Sequence, residues 1–225
     1  MITVKKDAIK IKTSDGMQSA GVLCQIGTFG VDNMKLMTQW ANTFYMASFL
    51  EETHLVLEYG DNFGGAMTNM FARTIRSKIK SIKFVGNRQV TSVSMNNTFN
   101  DCCAEIIDFS ECDFVLKAQA MEKTFATCNQ LKEIKGTLDV SQVSSFIEPF
   151  SSCSVLEEVR FLKENIFKTI SFGSCKLLSD VSIQSIIDGL ATVEESQTIA
   201  FHVNVKAKLT EEQIATITSK NWTLA

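Results

Sequence analysis

The sequence predicts an α/β solenoid of about five short-strand repeats, with a small α+β N-terminal region and an α/β C-terminal cap. Three observations predict it. The phrase Phe-x-x-Cys recurs at Phe99–Cys102, Phe125–Cys128, Phe150–Cys153 and Phe172–Cys175, and an imperfect copy at Phe71–Thr74 has threonine in the cysteine place. Successive phenylalanines stand 28, 26, 25 and 22 positions apart, a period typical of units too small to bury their own apolar face, which must stack on one another. An apolar pair three residues apart then follows: Leu131 and Ile134, Leu156 and Val159, Leu178 and Val181.

Taken in order, residues 1–53 form the expected N-terminal attachment region. Ile9 and Ile11 alternate with lysines before a Ser14-Asp15-Gly16 turn, which reads as short strands. Between Val31 and Glu52, Met34, Met37, Trp40, Phe44 and Ala47 recur at helical spacing, which predicts one amphipathic helix or two short ones. Trp40, Phe44 and Phe49 then read as core, or as a contact with another copy or another protein.

The repeats are expected over 54–181, opening with a strand over 55–59 and a plain turn over 60–65. That turn lacks the lysine of a phosphate loop and the alternating acids of a calcium loop. The copy at Phe71 reaches Ile79 and Ile82 only after two extra residues. The copy at Phe99 departs with Glu105 in the Leu place, and Ile106, Ile107 and Phe109 take over. Each unit is read as a short strand, a polar arc and a turn that drops Phe and Cys into the core. Stacking would align the strands into a parallel sheet at ~4.8 Å per rung. The predicted repeat core is therefore Phe71, Phe99, Cys102, Phe125, Cys128, Phe150, Cys153, Phe172 and Cys175.

A cap is expected over 182–225: a helix over 183–190, a strand over 198–203, a helix from the Thr210-x-x-Gln213 capping box to about Lys220, and a last strand over 221–224. An open repeat end needs such a cap, because the last rung exposes backbone edge and apolar side chains.

The 225-residue chain is 45% hydrophobic, enough for a packed core, and its net charge of −3 offers no basic footprint for nucleic acid. No run approaches the ~18 apolar residues of a membrane span, so no membrane insertion is expected. The start of the chain shows no signal-peptide stretch, so export by the usual route is not expected either. Seven cysteines without a secretory signal fit a reducing compartment. Four of them share one repeat position, which predicts a column of small buried thiols rather than a metal cluster.

No catalytic, cofactor or metal residues are nominated. His54 and His202 lie on predicted strands far apart in sequence and in no HExxH pattern. Cys102 beside Cys103 lacks a local histidine to activate it. Asp61, Glu105, Asp108 and Glu111 leave a glycan-cleaving carboxylate pair open. The residue after each buried strand position should face outward: Lys83, Asp108, Lys135 and Arg160. With Glu133 and Glu158 beside them, these form the predicted binding face, against the plainer alternative of a solvated stripe.

The Phe-x-x-Cys-x-x-Leu-x-x-Ile unit resembles the BspA-type leucine-rich repeat. The stretches Leu178–Ala191, Ala207–Ala215 and Lys220–Leu224 resemble the ending of repeat-bearing tail proteins of bacteriophages and prophages. The resemblance covers roughly 54–225 and makes the expected solenoid a leucine-rich-repeat one. It implies a non-enzymatic structural and binding protein of a phage virion: a tail fibre, tip or baseplate component, assembled in the host cytoplasm. Its implied partners are other virion proteins, a host-surface glycan or protein, and further copies of itself. A bacterial surface adhesin or protein-binding repeat module is the alternative, with a tail-associated polysaccharide depolymerase as a third.

Overall fold

A computed structural model describes residues 40–47, 53–60, 63–90, 94–114 and 120–225. Its elements are β1 (His54–Glu58), β2 (Ser81–Val90), β3 (Ile106–Phe114), β4 (Ala120–Glu122), β5 (Glu133–Leu138), β6 (Ser145–Ile147), β7 (Glu158–Phe161), β8 (Ile170–Phe172), α1 (Asp180–Gly189), β9 (Gln197–Phe201), α2 (Val203–Lys206), α3 (Glu211–Ser219) and β10 (Trp222–Leu224). The fold is mixed α/β, with parallel sheets, few helices and no closed barrel among the described residues. One sheet runs β1-β2-β3-β5-β7, a second β8-β9-β10, and a third pairs β4 with β6. Every strand pairing among the described residues is parallel.

Parallel neighbours in chain order require each segment to turn fully round before the next strand begins, and the turning device is local. Five phenylalanines lie midway between two residues with left-handed backbone: Asn42 and Met46 around Phe44, Asn69 and Arg73 around Phe71, Asn97 and Asp101 around Phe99, Lys123 and Thr127 around Phe125, Glu148 and Ser152 around Phe150; Phe172, on β8, has no such corners. Asn and Asp tolerate this region; Lys, Glu, Arg and Met do so only when the surroundings hold them there. The hold is a second hydrogen-bond ladder. Asn97, Phe99 and Asp101 donate their N–H groups to the Glu122, Thr124 and Ala126 carbonyls at 2.8, 2.8 and 2.9 Å. Lys123, Phe125 and Thr127 donate in turn to Ile147, Pro149 and Ser151.

Segment 40–47 belongs to this ladder, donating from Trp40, Asn42, Phe44 and Met46 to Ala66, Thr68, Met70 and Ala72. It is a chain of turns, so the helix expected around Trp40 and Phe44 is corrected here. The three- to four-residue spacing came from an arc with two left-handed corners, which places Trp40, Phe44 and Ala47 inward with i→i−3 turn bonds in place of the i→i−4 bonds of an α-helix. Met34, Met37, Phe49 and the strands expected before residue 30 lie outside the described residues.

Phenylalanine rings fill the interior in a continuous file. Centroid separations along Phe44, Phe71, Phe99, Phe125, Phe150, Phe172 and Phe201 are 4.8, 5.9, 5.4, 5.4, 4.8 and 6.1 Å, with planes within 22° of parallel. Offset stacking of this kind adds to the burial energy of each ring. Thr74, Cys102, Cys128, Cys153 and Cys175 are buried beside it. The Cys128 and Cys153 thiols donate back one rung, to the Phe99 and Phe125 carbonyls at 2.8 and 2.9 Å. Buried Thr98 and Thr124 likewise donate to Met67 and Met95 carbonyls, both at 2.9 Å.

Beyond β7 the stack changes character. Leu178 is buried, but Val181 is 55% exposed on α1, so the pairing of these two as a strand is corrected. Ser179 caps a helix there, and Ser182 and Ile183 turn inward instead. Helix α1 covers the edge of β7: the Ser182 and Ser185 hydroxyls accept from the Val159 and Phe161 N–H groups at 2.9 and 3.1 Å. An edge strand thereby loses the open backbone that would invite pairing. Lys220 Nζ donates to the Ile187, Asp188 and Leu190 carbonyls and closes the C-terminus of α1. The Thr210–Gln213 capping box is present at the start of α3. Strand β9 ends at Phe201, and His202, expected on that strand, caps α2 by accepting from Asn204 N–H through Nδ1.

Candidate binding face

The outer surface of the β1-β2-β3-β5-β7 sheet follows from strand alternation. Leu55, Ile82, Ile107, Ile134 and Val159 are buried, which turns their neighbours outward. Cα register aligns Val56, Lys83, Asp108 and Lys135 as one column across four strands, and His54, Ser81, Ile106, Glu133 and Glu158 as another across five. Five of the six residues predicted for the face thus lie in two adjacent columns. Arg160 does not share the Lys135 column: it is opposite Thr137, because β5 shifts register between Glu133 and Thr137. Gly136, at φ +91°, lies in that shift, and its backbone packs on that of Phe109.

The charges on the face are largely matched. Lys83 Nζ lies 2.7 Å from Glu111 Oε1, and this bond raises the lysine pKa. Asp108 Oδ1 accepts from the Ser110 N–H and hydroxyl at 2.8 and 2.6 Å. Lys135 stands 3.8 Å from Glu133 on its own strand, and Glu158 accepts from Ser182 at 3.2 Å. His54 Nδ1 and Ser81 Oγ are 2.8 Å apart. Two shallow hollows lie side by side and share Lys135. One, of about 410 Å³, is floored by His54, Val56, Ser81, Lys83, Ile106 and Asp108; the other, of about 260 Å³, lies between Glu133, Gly136, Glu158 and Arg160.

A third column was missed at the sequence level. Lys80, Glu105, Lys132 and Glu157 immediately precede the first outward residues of β2, β3, β5 and β7. Successive members are joined through the backbone: Glu105 N–H to Lys80 O, Lys132 N–H to Glu105 O, Glu157 N–H to Lys132 O. Lys132 Nζ meets Glu105 Oε2 at 2.8 Å, and that bond holds the Glu105 pKa down and the Lys132 pKa up. Lys80 lowers Glu105 further and Glu157 raises Lys132 further. The place given to Glu105 in the Leu column is therefore corrected. Buried Ala104 precedes the Phe99-repeat strand as Leu131 precedes the next, and Glu105 aligns with Lys132. Aligning the repeats on Ile82, Ile107, Ile134 and Val159 reveals the K-E-K-E alternation two positions upstream.

The vicinal thiols lie on the arc side. Cys103 is buried, with the Ser77 hydroxyl 3.0 Å from its sulfur. The Cys102 thiol, with Ser77 behind it, lowers the Cys103 pKa to about 6, while Cys102 is raised. Among the described residues no group of three or more His, Cys, Asp or Glu side chains could hold a metal ion, and no helix is long and apolar enough to cross a membrane. No family model, curated protein or solved structure matches this chain.

Proposed function

We propose that this chain is a leucine-rich-repeat solenoid of the BspA type, acting as a non-enzymatic structural and binding component of a bacteriophage tail. The observation that carries the binding role is the outer sheet face: five parallel strands holding ordered columns of charge over a rigid ring-stacked interior. Such a wall presents a fixed pattern of charges at little entropic cost on docking. The phage context rests on the resemblance of the repeat unit and of the 178–224 stretches to tail proteins.

The face favours a protein partner over a sugar. Its aromatic side chains Tyr59, Phe84 and Phe109 are buried beneath it, so sugar rings find no stacking platform among these described residues. Its exposed groups are alternating charges with short hydroxyls between them, suited to the polar groups of a protein surface. Other tail proteins, or a host-surface protein, are the proposed contacts, and assembly takes place in the host cytoplasm.

The test is made on phage particles produced with the native chain and with Lys135→Glu/Arg160→Glu. The chain should co-purify with tails by mass spectrometry. The double variant should melt as the native chain does, yet reduce tail incorporation or host adsorption. Absence of the native chain from particles would overturn the virion role, and unchanged incorporation and adsorption of the variant would overturn the role of the face.

A further inference from the structure

We infer that the outer sheet face is a self-association surface, against which a second copy of this chain lies face to face with its strands stacked in the reverse order. This rests on reading that face as the contact surface and names its partner.

The Lys80, Glu105, Lys132, Glu157 column carries the inference. Four alternating charges read backwards are their own complement: reversed, Lys80 faces Glu157 and Glu105 faces Lys132. A twofold axis parallel to the strands, passing between β3 and β5, performs that reversal while keeping each column opposite itself. The same axis sets Asp108 of one copy against Lys135 of the other. A partner in the same direction and register would set lysine against lysine, so the pattern selects the isologous twofold arrangement.

Spacing points the same way. Charges in the column repeat once per rung, at ~4.8 Å, whereas same-side residues of an extended peptide repeat at roughly 6.7 Å and fall out of step within two rungs. A second stack of parallel rungs keeps step over the whole column. Within one copy Lys132 already pairs with Glu105 at 2.8 Å, so association exchanges or extends that pair across the twofold axis.

Five strands of about five residues span roughly 20 by 17 Å, less than a permanent interface requires. The dimer is accordingly weak and salt-sensitive, and it forms where assembly holds copies at high local concentration.

Sedimentation equilibrium on the full chain tests this at about 0.1 M and about 1 M salt, where screening lengths are ~10 and ~3 Å. The native chain should show a monomer–dimer equilibrium at low salt that weakens about tenfold or more at high salt. Two variants sharpen the test: Lys80→Glu/Lys132→Glu makes the column all acidic, and Glu105→Lys/Glu157→Lys makes it all basic. Each alone should remain monomeric at low salt, and an equimolar mixture should form a one-to-one complex. A native chain that is monomeric at both salts overturns the inference, as does a dimer insensitive to salt or a mixture of folded variants that does not associate. If a variant fails to fold, the salt series on the native chain decides. A monomeric native chain that still enters tails would sink self-association alone. A salt-sensitive dimer absent from tails would sink the virion reading alone.

Discussion

Lys132 Nζ donates to Glu105 Oε2 at 2.8 Å across one rung, although 27 positions separate the two residues in the chain. The contact exists because the two strands that follow these residues are in register, Ile106 opposite Glu133. It therefore reports directly on the stacking of one repeat upon the next.

A pH series should read that contact. Glu105 has its pKa lowered on folding, so its contribution is present above the ordinary carboxylate value of 4.5 and is lost as pH falls through the lower folded value. Lys132 is raised, so its contribution is complete below 10.5 and is lost as pH rises past its folded value. The contribution of this pair, read as the melting-temperature difference between the native chain and Glu105→Gln, should be flat between these limits and decline on both sides. Glu105→Gln should flatten the acid-side loss attributable to this pair; an unchanged acid profile would mean that the bond contributes nothing in solution.

The end of the main sheet offers a second measurement. Ser182→Ala and Ser185→Ala each remove a hydroxyl that accepts from a β7 N–H. Leaving such a group without a partner costs about 1–3 kcal/mol. Urea denaturation should show losses in that range. Neutral substitutions would mean that α1 does not cover the β7 edge.

Gly136→Ala tests the register shift that displaces Arg160. At φ +91° an added Cβ would lie 3.0 Å from the Phe109 carbonyl carbon, so strain and backbone contact act together. The expected loss exceeds ~1 kcal/mol in chemical denaturation. A stability equal to the native chain's would contradict the packing of the bulge on β3.

Thiol labelling followed by mass spectrometry gives a fourth check. Burial raises the Cys128 and Cys175 pKa values and pushes Cys153 up to about 12, whereas Cys103 is lowered to about 6. Among the six described cysteines, partly exposed Cys112 should alkylate first at neutral pH, with buried Cys103, a thiolate that only local opening exposes, ahead of the other buried thiols. Cys128, Cys153 and Cys175 should react only at the rate of global unfolding. Rapid labelling of Cys153 in the native protein would place it outside the core.

Much of this arrangement was legible because one interaction repeats. A buried ring must recur wherever a rung recurs, so Phe99, Phe125, Phe150 and Phe172 stood out by spacing alone. Phe44 did not: Ala47 occupies the cysteine place and Trp40 lies one helical turn away, so the arc imitated a helix. The left-handed corners at Lys123 and Glu148 have no sequence mark, because their conformation comes from the ladder rather than from side-chain preference. The outward position of Arg160 could be read from alternation, but its column could not, since Gly136 shifts the pairing. The ion ladder lay in view, hidden by an alignment that gave Glu105 the place of Ala104.

A double-mutant cycle on Phe99 and Phe125 tests most directly whether successive segments share one packed interior. The rings stack 5.4 Å apart with planes 1° from parallel. Phe125→Ala alone should cost about 3–5 kcal/mol. In the cycle, Phe→Leu at both positions should show a coupling of about 0.5–1.5 kcal/mol. The pair Phe71 and Phe150, with both of those rings between them, should add to within ~0.5 kcal/mol. Strict additivity at Phe99 and Phe125 would contradict the continuous ring file on which the outer face is built.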